Sequence, residues 1–125
     1  MNLMNETDTT EDIVKNVLAT LYDDAQPVEN YYFNMATLSM KVVVQAMKTL
    51  QEPISIDSLY TTLISQNKMS AIGKQLTADF ADSQASIDWN QFIAANPIES
   101  AVDFENLQLK LSGLISRMSF KLQSH

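Results

Sequence analysis

Residues 30–51 read NYYFNMATLSMKVVVQAMKTLQ, a stretch free of glycine and proline whose reading decides the fold class. Its polar residues Asn30, Asn34, Thr37, Lys41, Gln45 and Lys48, with Glu52 just beyond, recur at spacings of three and four and draw one line along a helix. Nearly everything between them is apolar. Ala36, Met40, Val43, Met47 and Leu50 make one stripe, and Tyr31, Met35, Leu38, Val42 and Ala46 make a second beside it. A helix wet along so narrow an edge needs neighbours on at least two sides. The spacing predicts a core helix over about 29–51 of an all-α domain.

Composition agrees with that class. The chain has 125 residues, enough for one domain with a single core, and 46% of them are hydrophobic at a mean hydropathy of −0.09. Two glycines and three prolines leave little turn chemistry for a multi-stranded sheet. A net charge of −7, with a pI of about 4.4, works against binding a phosphate backbone, so DNA binding by this domain alone is expected to be weak or absent. The absence of cysteine removes disulfides, thiolate metal sites and thiol nucleophiles together, and suits a reducing compartment. No apolar run approaches the ~20 residues that cross a bilayer. The acidic N-terminus resembles neither a signal peptide nor a transit peptide, so a cytoplasmic location without membrane contact is expected.

The rest of the chain reads as further helices. Residues 1–9 are a polar, flexible lead-in, and 10–123 form one bundle of about six helices. Thr9 or Thr10 caps a first helix carrying Ile13, Val17 and Leu21, which Asp23, Asp24 and Pro27 stop. Glu52-Pro53 ends the central helix, because the residue before proline is pushed out of the α region. Ser55 caps a third helix reaching about Ser65, and Gln66 to Lys68 are a loop. Ser70 opens a fourth helix to about Ala81, with Met69, Ile72, Leu76 and Phe80 as its stripe and Gly73 permitting close packing. Asp82 to Ser86 are a polar loop before a short helix over Asp88 to Ala95. Asn96-Pro97-Ile98-Glu99 has the pattern of a capping box with proline at the first helical position. It predicts a second long helix over about 97–123 lying against the central one.

Catalytic and metal-binding patterns do not assemble. The phrase 82–92, DSQASIDWNQF, echoes half of a calcium loop, but Phe80, Ala85 and Gln91 stand where an acid, a glycine and a glutamate are required. His125, the one histidine, is the final residue and cannot anchor a zinc site or a triad. Gly73-Lys74 lacks the flanking residues of a phosphate-binding loop. No cofactor or metal is therefore expected, and no catalysis. The acids Asp12, Asp23, Asp24, Glu29, Asp79, Asp82 and Asp88, together with Trp89 beside polar loops, are the candidate protein contacts.

The succession of a capped first helix, an aromatic-led long helix (Tyr31-Tyr32-Phe33 to Leu50), a proline-led turn into Leu59-Tyr60-Thr61-Thr62-Leu63-Ile64, and a final helix through Glu105 and Leu111-Ser-Gly-Leu-Ile-Ser-Arg-Met resembles the all-α domain of TraD/VirD4-like type IV coupling proteins. That resemblance spans about 10–123 and rests on helix order and apolar positions. It implies a non-catalytic substrate-recognition domain of a hexameric ATPase of conjugation and type IV secretion, on the cytoplasmic face of the bacterial inner membrane. Its partner would be a relaxase or a relaxosome accessory protein, or the DNA they carry. The alternative is a free-standing acidic helical adaptor or regulator that works by protein contact.

Overall fold

Helices follow one another with short connections throughout residues 8–22 and 31–123, the residues described by the structure, a computed structural model. There are seven among them: α1 (Thr10–Leu21), α2 (Tyr31–Thr49), α3 (Ile56–Leu63), α4 (Gln66–Asp79), α5 (Gln84–Ala95), α6 (Ala101–Lys110) and α7 (Ser112–Gln123). The described residues hold no strand, and the all-α bundle predicted from periodicity is the observed class.

α1 begins with a reciprocal cap. Thr9 Oγ1 accepts from the Asp12 N–H at 3.1 Å, and Asp12 Oδ2 accepts from the Thr9 N–H at 3.3 Å. The face of Ile13, Val14, Val17 and Leu21 is buried, and α1 packs along α2. The predicted stop at Asp23, Asp24 and Pro27, and the predicted start of α2 at Glu29, lie outside the described residues.

α2 is buried at Met35, Ala36, Ser39, Met40, Val42 to Val44, Ala46 and Met47, which is coverage on more than one side, as its narrow polar line requires. Its other main neighbour is α5. At its end the Glu52 N–H donates to Met47 O at 2.9 Å and the Gln51 N–H to Lys48 O at 3.1 Å, the paired bonds of a Schellman motif. Gln51 holds the left-handed position at φ 59°, and Pro53 follows.

Serines set the starts of the next helices, and two of them differ from the predicted caps. Ser55 caps α3 as expected, its Oγ accepting from the Ser58 N–H at 3.0 Å. α4, however, starts at Gln66, because Ser65 accepts from the Lys68 N–H at 3.2 Å; the segment expected to be a loop is the first turn of the helix. Met69 belongs to the same buried stripe as Ile72 and Leu76, so it had to be helical already. α5 likewise starts at Gln84 under Ser83, whose Oγ accepts from the Ser86 N–H at 3.1 Å. Its first turn buries Ala85 and Ser86, residues too small or polar to announce a core face.

The expected long helix over 97–123 is corrected. Asn96 closes α5 instead of opening the next helix: its N–H donates to Phe92 O at 2.8 Å, its Nδ2 donates to the same oxygen at 3.2 Å, and its Oδ1 accepts from Lys110 Nζ at 3.3 Å. Residues 97–100 form a strap that buries Ile98 and is pinned by Gln66 Nε2, which donates to Ile98 O at 2.7 Å and Glu99 O at 3.1 Å. Ser100 is the true cap, its Oγ accepting from the Asp103 N–H at 3.0 Å. The helix then breaks at Leu111, whose N–H is shared between Leu107 O (3.1 Å) and Gln108 O (3.2 Å).

Gln108 accounts for where the chain goes next. Its Nε2 donates to Leu63 O at 2.7 Å, satisfying a carbonyl at the end of α3. α7 accordingly packs mainly on α3 and secondarily on α1, through Leu114 and Met118. Neither α6 nor α7 packs extensively on α2, so the expected side-by-side pair of long helices is not present. One apolar core, from Ile13 through Met40, Leu59 and Leu76 to Met118, joins all seven helices.

Candidate functional site

Two clefts flank α5, and adjacent residues open onto different ones. Asp88 faces the gap between α5 and α2, a cavity of about 320 Å³ that it shares with Leu38, Lys41, Gln45 and Phe92. Its carboxylate accepts from Gln84 Nε2 at 2.8 Å. Trp89 faces the other way, into a cleft of about 650 Å³ between α4, α5 and the strap at 97–100.

The partial exposure expected of Trp89 beside the polar loops is not found. Trp89 is 2% exposed and packs against α4, where Gly73 gives it room. A Cβ on Gly73 would stand 2.7 Å from Trp89 Nε1, closer than non-bonded atoms approach. The close packing anticipated at Gly73 is thus real, and its partner is the indole.

The predicted acidic contacts are scattered. Asp79 ends α4 and Asp82 lies in the following turn, both exposed. Asp12 is exposed as well, with its carboxylate engaged in capping α1. Asp23, Asp24 and Glu29 fall outside the described residues. All eight Lys and Arg, but only eleven of the fifteen acids, lie within the described residues, so most of the excess negative charge belongs to the two segments around residues 1–7 and 23–30. No acidic side chain among the described residues is ion-paired.

Chemically convergent groups are few. Among the described residues, no three of His, Cys, Asp and Glu come together in a way that would hold a metal ion. Arg117 lies 4.2 Å from the centroid of the Tyr22 ring, which also meets Phe33 edge to face at 5.3 Å. Burial raises the Tyr22 pKa, and the Arg117 charge pulls it part of the way back. No described helix is long and apolar enough to cross a membrane.

Sequence reasoning did not see the cleft, because the two residues that shape it, Gly73 and Trp89, come from different helices. The nearest signal was a glycine inside a helical pattern, which marks close approach without saying of what. No family model, no curated protein and no solved structure matches this chain.

Proposed function

We propose that this domain acts by protein contact and carries out no chemistry of its own. Its setting in that reading is a TraD/VirD4-like coupling protein, where it recognises a relaxase or a relaxosome accessory protein. The observation that carries the proposal is the set of acidic side chains, Asp79 and Asp82 among them, standing in solvent without ion-pair partners in a chain of net charge −7. Unpaired surface charge of one sign accelerates encounter with a basic partner and weakens as salt rises. Direct grip on the transferred DNA is disfavoured by the same charge.

A pull-down of relaxosome proteins at low and at high salt tests this. A basic partner retained at low salt and released at high salt supports it, and no salt-sensitive partner refutes it.

The second reading, a free-standing acidic adaptor, gains from the break at Leu111 and from α7 packing on α3, because the resemblance includes one long returning helix. The coding sequence on either side separates the two. Continuous reading into ATPase motifs supports the coupling protein, and an intact short reading frame supports the adaptor.

A further inference from the structure

The last two helices carry a second apolar face that no described helix covers. Val102 and Leu109 on α6 and Phe120 on α7 are 66%, 65% and 72% exposed, the highest values among the described large hydrophobics. They lie opposite the buried stripe of Leu107, Leu111, Leu114 and Met118, whose spacing of four, three and four continues unchanged across the break at Leu111. Of the ten exposed positions on α6 and α7, Glu105 alone is charged. α6 itself buries only Leu107, and a helix of ten residues is marginal until its faces are packed.

The middle of this face shows what fits it. Leu109, Ser112, Gly113 and Ser116, all exposed, stand at i, i+3, i+4 and i+7, the four corners of a hole that receives a side chain from a facing helix. Gly113 has no steric reason within its own chain, since a Cβ there would meet only Arg117 Nη1 at 3.6 Å. Its missing side chain leaves the hole open. A strip that bears both a projecting leucine and an open hole is complementary to a second copy of itself turned end for end. With the two-fold axis beside Leu111, positions equally far before and after it face each other: Leu109 with Gly113, Asn106 with Ser116, and Val102 with Phe120.

Charge permits that approach. α6 and α7 set Lys110, Arg117 and Lys121 against Asp103 and Glu105, a net of +1 in a chain of −7, so two acidic copies meet here away from most of their acids. A basic partner gains nothing on such a strip.

We infer that α6 and α7 form a homodimer face, pairing antiparallel with the same two helices of a second copy and seating Leu109 of each over Gly113 of the other. Ten and twelve residues long, the helices run about 33 Å together. The contact therefore buries at or below about 1,200 Å² in total, the size of weak, exchanging interfaces, and a Kd of about 100 µM is expected. This pairing goes beyond the proposed function, because it needs no basic partner.

Sedimentation equilibrium of the full chain between about 10 µM and 1 mM tests it. Association tightens at high salt, which screens the repulsion between two chains of −7 each, the opposite of the response expected of a basic partner. Leu109→Glu, at a position 65% exposed, abolishes association and leaves the melting temperature of dilute protein unchanged. Gly113→Ala raises that melting temperature yet weakens association severalfold by filling the hole. Because the chain has no cysteine, introduced thiols report the orientation. On mild oxidation Asn106→Cys mixed with Ser116→Cys gives a disulfide-linked dimer and neither variant does so alone, since bridged Cα atoms must come within about 7 Å.

A monomer at about 1 mM, association that survives Leu109→Glu, or linked dimers of either cysteine variant alone forming as readily as the mixed one overturns the inference. Any of these beside a salt-sensitive partner in the pull-down removes the homodimer face and leaves the proposed function standing. A dimer of the expected kind with no salt-sensitive partner does the reverse.

Discussion

Replacing each of the two glycines by alanine should move stability in opposite directions. Both lie in helices at negative φ, so alanine gains helix propensity at either site, up to about 1 kcal/mol in a helix interior and less near an end. At Gly73 the new Cβ would lie 2.7 Å from Trp89 Nε1 and 3.4 Å from its Cδ1. The ring must retreat by several tenths of an ångström within the packed core to which it belongs, and such overpacking costs about 1–3 kcal/mol. The net expectation for Gly73→Ala is a loss of about 1 kcal/mol, or about 4 °C in Tm for a domain of this size. At Gly113 the added Cβ meets only Arg117 Nη1 at 3.6 Å, an ordinary contact with the end of a flexible side chain. Gly113→Ala should therefore stabilise by about 0.5 kcal/mol. Urea unfolding followed by circular dichroism measures both, and emission from Trp89 reports separately whether the indole has moved. Equal stabilisation by the two substitutions would refute the close approach of α4 and α5 at this point.

Three further outcomes follow from single side chains. Ser39 is wholly buried with an unpaired hydroxyl, so Ser39→Ala should raise the unfolding free energy by about 1 kcal/mol, where loss of a made hydrogen bond would lower it; chemical denaturation decides the sign. Ser100→Ala should cost about 1 kcal/mol by removing the α6 cap, and thermal melts of Ser100→Ala beside Ser100→Asp, which keeps a capping oxygen, check that the effect is the cap. Tyr22 titrates above its ordinary value of 10.0 in the fold, with burial as the main cause, so the unfolded chain loses its proton first as pH rises. The stability it contributes is complete below pH 10.0 and falls as pH climbs through the higher folded value, and Tyr22→Phe should flatten that decline in alkaline melts.

Much of the fold was legible because burial imposes periodicity. The line of Asn34, Lys41, Gln45 and Lys48 fixed which side of α2 faces water, and the buried residues fall opposite it. Helix starts were harder, since serine is common and caps only where the chain turns: Ser65 and Ser83 cap, Ser70 does not. Asn96-Pro97-Ile98-Glu99 matched a cap pattern, but a pattern does not record that Ile98 must be buried and that Asn96 is needed by Phe92 and Lys110. Just before the break at Leu111, Gln108 reaches Leu63, a contact 45 positions away in sequence that no local window contains. For the candidate site the same distinction held. Charges could be counted from composition, whereas the neighbours of Trp89 came only from the packing of two helices.

The reversal after α2 shows that the chain does not sit at its own optimum. A residue with a side chain at φ 59° surrenders about 1 kcal/mol that glycine would keep. Against the net of about 5–15 kcal/mol typical of a folded domain, that is on the order of a tenth of the margin, left behind at one exposed glutamine. Gln51 thus marks a place where the same backbone would tolerate a more permissive residue, and where selection has kept the fold without perfecting it.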